Sequence, residues 1–180
     1  NNRTLYGALL ERVGDGGYAF GARGRQIRDD LFARKRFAER DLLAIQLDDR
    51  ALFMRRWWQL LRDEAARTHS PSLRALSNAS AVWQGRAQAD SVSYRVARAW
   101  RLAVHARLLD GLTAPAQAAL GDDFVMPDLP QFEGVAWPLV TQRPAHLLPR
   151  RFACDAGKDT DACGWDALFE DAGARLDERV

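Results

Sequence analysis

Apolar residues along this chain recur at steps of three and four, the spacing that lines one face of a helix. The strongest such stretch is ERDLLAIQLDDRALFMRRWWQLLRDEAAR. One seam reads Leu43, Leu47, Ala51, Met54, Trp58, Leu61 and Ala65, and a second reads Leu42, Ile45, Leu52, Trp57 and Leu60. Two adjacent seams make a wide apolar face. The spacing therefore predicts one continuous helix of about 28 residues and roughly 40 Å, packed on more than one neighbour. A second long helix is predicted from Asp90 or Ser91 to Asp110. Its seam is Val92, Val96, Ala99, Ala103 and Ala106, flanked by Trp100, Val104 and Leu108, and Gly111 fits its C′ position. Thr113 would then cap a short helix with Pro115 in its first turn and Gly121 past its end. A last helix, GWDALFEDAGARLDERV, carries Trp165, Leu168, Phe169, Ala172 and Leu176 at helical spacing and meets no stop signal.

Shorter elements fill the rest. Residues 1–20 hold Gly7, Gly14, Gly16 and Gly17 and read as a loop-rich lead-in, with a short helical turn over Tyr6–Val13. A clear helix is expected from Ala22 to Arg34, with Arg23, Ile27 and Leu31 on one stripe. Thr68-His69-Ser70-Pro71 breaks the pattern, and Ser70 can cap a following helix with Pro71 at its first position. ALSNASAVWQGRAQAD is expected to be a turn with Trp83 tucked inward. Residues 122–152 hold five of the seven prolines, which predicts short helices and corners. With no β alternation beyond a few residues, the fold class is mainly α, an irregular orthogonal helical array. The expected organisation is a single domain over 1–180, helical from residue 21 onward.

Composition narrows the partners. The chain has 180 residues, enough for one real core. Its formal charge is +2, and the basic residues are nearly all arginine, interleaved with Asp and Glu. That reads as solvated helix faces rather than the one-signed patch a nucleic acid wants, so no nucleic-acid partner is expected. No run of about 18 apolar residues exists, so no membrane span is expected either. Cys154 and Cys163 share one polar stretch, FACDAGKDTDACGWD. They are either two free thiols or a local disulfide, the second requiring an oxidising compartment. Their spacing is not a zinc spacing.

Candidate chemistry within the chain is sparse. GARGRQIR is not a phosphate-loop pattern. His69, His105 and His146 lie far apart and read as helix-end or surface histidines rather than ligands. Asp48 and Asp49 fall in the middle of the predicted long helix, with Arg55 and Arg56 two turns on, and read as solvated ion pairs. Trp57 and Trp58 either line a ligand pocket or are core plus a half-buried neighbour. By residues alone, a free-standing helical module binding a partner helix or an apolar ligand at Trp57 and Trp58 stands beside any enzyme reading.

DLLAIQLDDRALFMRRWWQLLR, QRPAHLLP and the terminal GWDALFEDA carry a resemblance to the penicillin acylase (penicillin amidase) family of N-terminal-nucleophile hydrolases. The chain resembles an internal helical part of that family's large β chain, whose whole enzyme has an αββα core. The resemblance covers all 180 residues. In the family an Asn pair precedes, at a fixed interval, an arginine that opens a helix near the active site. Asn1-Asn2 falls on the pair and Arg23 on the arginine, without a gap. The resemblance thus implies Asn1 as an oxyanion-hole donor and Arg23 as active-site support.

Those roles suit the side chains. An oxyanion hole needs a neutral donor such as an asparagine amide. An arginine on an apolar stripe needs a partner, because burial unpaired is costly. The family's nucleophile is the N-terminal serine of the β chain, with its own α-amino group as base. This sequence has no serine near its start, so an excised internal part of a β chain is expected, inactive alone. The implied partners are the rest of the β chain, the α chain and a small N-acyl substrate, such as an acylated β-lactam or acyl-homoserine lactone. No cofactor is expected in this chain. The family's structural calcium takes an aspartate whose position falls on Arg12, with Asp15 out of register. Family habit implies a periplasmic or secreted enzyme.

Overall fold

The computed structural model describes Leu5, residues 7–14, Tyr18 and residues 20–154 and 163–177, the side chains of Arg175 and Asp177 apart. The fold is mainly α, as the spacing predicts. Among the described residues no strand forms, and the one sheet-like pairing is an isolated antiparallel bridge between Arg50 and Arg86. The chain divides into two compact units, residues 1–49 with 127–135, and residues 50–126 with 136–180.

The first unit holds α1 (Ala8–Val13), α2 (Ala22–Phe32) and α3 (Glu39–Gln46). None of these three helices contains a buried residue. The start of α3 is set locally. Asp41 accepts a hydrogen bond from the Ala38 N–H at 2.9 Å, tying off a donor at the helix entrance. That bond, with help from the Arg34 guanidinium 2.7 Å away, holds the Asp41 carboxyl below the usual carboxylate range.

The second unit holds α4 (Arg55–Thr68), α5 (Pro71–Ala79), α6 (Val92–Leu120), the part of α7 (Glu133–Gln142) from Ala136, and α8 (Gly164–Asp177). Helix α5 packs on α4 and α8, and α6 packs on the same two. The core between them holds Trp57 and Leu61 of α4, Leu73 and Leu76 of α5, Trp100, Val104 and Leu108 of α6, and Leu168 and Phe169 of α8. Trp57 is its centre, meeting Trp100, His105 and Trp137 edge-on at centroid distances of 5.9, 5.5 and 5.4 Å. Such edge-to-face pairs satisfy the ring quadrupoles while filling volume. Ser70 caps α5 as expected, its Oγ accepting from the Leu73 N–H at 3.1 Å, with Pro71 next. Gly173 lets α8 lie against α5, since a Cβ there would stand 2.9 Å from Leu73 Cδ2.

Two predicted helices differ. The 28-residue helix is two helices, α3 and α4, interrupted over residues 47–54. Asp48 and Asp49 are therefore not mid-helix. An aspartate competes with the helix by bonding elsewhere, and Asp48 accepts from the Gln26 side-chain amide. The backbone leaves the helix as well, with the Ala51 N–H donating to the Gly85 carbonyl at 2.8 Å. Leu43 and Leu47 of the expected seam are 52% and 71% exposed, so the apolar face does not run through. The buried stripe of α4 is instead Trp57, Leu61, Glu64 and Ala65.

The second difference is α6, which does not stop at Asp110. It continues through Gly111, and Gly121 ends it at φ 54°. Gly111 is glycine for room: a Cβ there would sit 2.4 Å from Pro149 Cβ. Thr113 caps nothing, and its hydroxyl donates back to the Leu109 carbonyl at 2.7 Å. The α6 stripe is also turned from the expected one. Ser93, Val96, Ala97, Trp100, Val104 and Leu108 are buried, whereas Val92 and Ala106 are exposed. The stripe turns so that Trp100, Val104 and Leu108, the largest apolar side chains of this face, are buried.

Two charged clusters fasten this core. The Glu64 carboxylate, 3% exposed, accepts from Arg67 at 2.7 Å and from Arg143 after α7. Arg67 also binds Asp166 of α8, and together these carboxylates hold its guanidinium pKa above the ordinary value. On the other side, Arg107 of α6 donates to the Asp171 carboxylate and to the Asp171 carbonyl, each at 2.6 Å, and Arg151 reaches the same carboxylate. Replacing Glu64 by alanine strands two guanidiniums. Breaking a buried pair costs about 3–5 kcal/mol, but Arg67 and Arg143 retain 46% and 28% exposure and can rehydrate. The expected loss for Glu64→Ala is about 2–3 kcal/mol in equilibrium urea unfolding, with Glu64→Gln losing less. A change below about 0.5 kcal/mol would show that the cluster is ornamental.

Candidate active-site residues

Arg23 lies in the first turn of α2, one residue past its start. Gln26, one turn on, shares its face. Both side chains reach the end of α3. Arg23 Nη2 donates to the Gln46 carbonyl at 3.4 Å, and Gln26 donates to Asp48. Gln46 closes α3, so its carbonyl is an orphan acceptor at the negative end of the helix dipole. A guanidinium is well placed there, and it links α2 to the end of α3. Arg23 makes no other hydrogen bond or ion pair among the described residues, so most of its five donors are uncommitted there.

The expectation that Arg23 interrupts a buried stripe is corrected. Arg23 is exposed, Ile27 is half-buried and Leu31 is 42% exposed. The periodicity is real, but α2 has no core face within the described residues, so no desolvation penalty forces a partner on Arg23. Asn1 lies outside the described residues, as does Asp15, and Arg12 is exposed on α1. Cys154 and Cys163 form a disulfide, with Cα atoms 5.1 Å apart. No group of three His, Cys, Asp or Glu residues suited to a metal occurs among the described residues. No described helix is long and apolar enough to cross a membrane.

The remaining candidates fall into place around the core. His69 ends α4 with φ 57°, and His146 is exposed in the short turn Ala145–Leu147. His105 is a correction: it is neither at a helix end nor on the surface, but 8% exposed in mid-α6 beside Trp57. The tryptophan pair is core plus a half-buried neighbour. Trp57 is fully buried, and Trp58 lies 5.6 Å from Trp83 and donates its indole N–H to the Ser80 carbonyl at 2.7 Å. Nothing of Trp57 is left to line a ligand surface.

Glu64, Arg107 and Asp171 were not singled out by sequence reasoning, because a lone acidic or basic residue on a helix reads as surface. The signal was present in Glu64 alone: it stands in register with Trp57, Leu61 and Met54, on the buried stripe rather than opposite it.

Among the described residues the structure is thus helical, the buried charges Glu64 and Arg107 are paired in the core of the second unit, and Arg23 opens a helix at the resembling position with donors to spare. The protein's class is that of the amidohydrolases, enzymes that hydrolyse carbon–nitrogen bonds. The chain belongs to the penicillin amidase family, whose model matches residues 1–179. No curated protein and no solved structure matched it.

Proposed function

We infer that this chain is a helical part of the β chain of a penicillin-acylase-like enzyme that hydrolyses the amide of N-acyl substrates, acylated β-lactams or acyl-homoserine lactones. The family match along residues 1–179 carries the reading. In it, an N-terminal serine outside this sequence attacks the acyl carbonyl, its α-amino group taking the proton. The Asn1 side-chain amide donates to the oxyanion of the tetrahedral intermediate. Collapse expels the amine, and water then releases the carboxylic acid and regenerates the serine.

Arg23 is assigned a positioning role. Its guanidinium is tethered to α3 through Gln46 and has donors to spare among the described residues for active-site carbonyls or carboxylates. The serines within this chain are poor nucleophile candidates. The first, Ser70, has its hydroxyl oxygen engaged in capping α5. The rest of the β chain and the α chain are the partners in this reading, with no cofactor contributed by these residues. The Cys154–Cys163 disulfide supports an exported, periplasmic or secreted enzyme, since such bonds persist in oxidising compartments.

The test is amine release. The enzyme containing this chain should liberate amine and carboxylic acid in equal amounts from an N-acyl β-lactam or an N-acyl-homoserine lactone. The purified 180-residue chain should liberate none above buffer. Failure of the enzyme on N-acyl substrates of both kinds would refute the reading, and hydrolysis by the chain alone would refute the placement of the nucleophile.

A further inference from the structure

Thiol–disulfide exchange begins with a thiolate attacking one sulfur of the pair, while the other sulfur leaves as a thiolate. The bond between Cys154 and Cys163 is unsymmetrical in access. Cys163 is 3% exposed, and Trp165, two residues on, is 7% exposed. Cys154 is an exposed residue shortly after the 3-10 turn Arg150–Phe152. An incoming thiolate therefore meets Cys154 first. Cys163 immediately precedes the 14-residue helix α8. Access selects Cys154 as the sulfur attacked, so Cys163 is the sulfur expelled.

We propose that Cys154 is a modification site for small thiols of the glutathione class. The thiolate bonds to Cys154 Sγ, the Cys154–Cys163 bond breaks, and its electron pair remains on Cys163 as a thiolate. Cys154 then carries the small thiol as a mixed disulfide, with no net oxidation or reduction. Cys163 resolves the adduct when free thiol declines, attacking the Cys154 sulfur and expelling the small thiol. The bond is thus a reversible catch at the start of α8. With the catch open, α8 is still held by Asp166 on Arg67 and Asp171 on Arg107.

The experiment treats the folded protein with reduced glutathione at neutral pH, traps free thiols with N-ethylmaleimide, and maps both adducts by peptide mass spectrometry. Glutathione on Cys154 with maleimide on Cys163 should exceed the reverse pairing by about tenfold or more. In concentrated urea, where burial is lost, the ratio should fall to within about threefold of unity. Three results would each overturn the proposal. They are a reversed ratio in the folded protein, an even ratio in the folded protein, and no adduct on the folded protein under conditions where the unfolded one reacts.

Discussion

Replacing Trp57 by alanine should remove about 4 kcal/mol of stability from the second unit, a large share of the roughly 5–15 kcal/mol that a domain holds. Trp57 is fully buried and meets three aromatic rings, from α6 and α7. The indole leaves a void walled by Trp100, Trp137 and His105. Stiff rings held by other contacts do not collapse into such a space, so the cavity cost adds to the lost transfer energy. Trp58 provides the control. It is half-buried, and its alanine variant loses the tilted Trp83 ring contact, the Arg62 guanidinium over its face and one hydrogen bond to Ser80, so it should cost about 1–2 kcal/mol. Urea unfolding of the two variants decides the matter. A smaller loss for Trp57→Ala than for Trp58→Ala would mean that the core is centred elsewhere.

The second large effect is on catalysis. In the enzyme containing this chain, Asn1→Ala should lower kcat by about 10²–10³ while leaving KM nearly unchanged. A donor that meets only the oxyanion contributes little to ground-state binding. Asn1→Asp should be at least as damaging, because a carboxylate presents negative charge to a developing anion. A kcat within about threefold of the parent for Asn1→Ala would remove Asn1 from the oxyanion hole. The pattern also separates the two candidate residues: Arg23→Ala, acting through others, should alter the pH profile of kcat/KM, and Arg23→Lys should restore part of it.

The candidate site was only partly legible. Arg23 was found through its interval from the Asn pair, a resemblance rather than a physical signal. Its stripe with Ile27 and Leu31 suggested a buried arginine, and the structure shows an exposed one. Periodicity reports that an apolar face exists but not whether a neighbour covers it. His105 was misread for the complementary reason: a polar residue amid apolar ones is indistinguishable, in a list of letters, from one on the opposite face. Glu64 was passed over although its register with Met54, Trp57 and Leu61 marked it, and its charge is met by Arg143, 79 residues away in sequence.

The sequence by itself determined the mainly helical character, the Ser70–Pro71 start of α5, the corners of the proline-rich segment, the buried residues of α8 and the family. These depend on local spacing, on residues that pre-set or forbid backbone torsions, and on motifs read along the chain. Tertiary structure decided where α3 ends and α4 begins, because the Ala51 N–H exchanges a helical partner for Gly85. It decided that α6 passes through Gly111, where Pro149 presses too close for a side chain. It also decided which arginines and carboxylates are fasteners rather than surface. Each of these choices is an energy between residues distant in sequence, and no local pattern contains it.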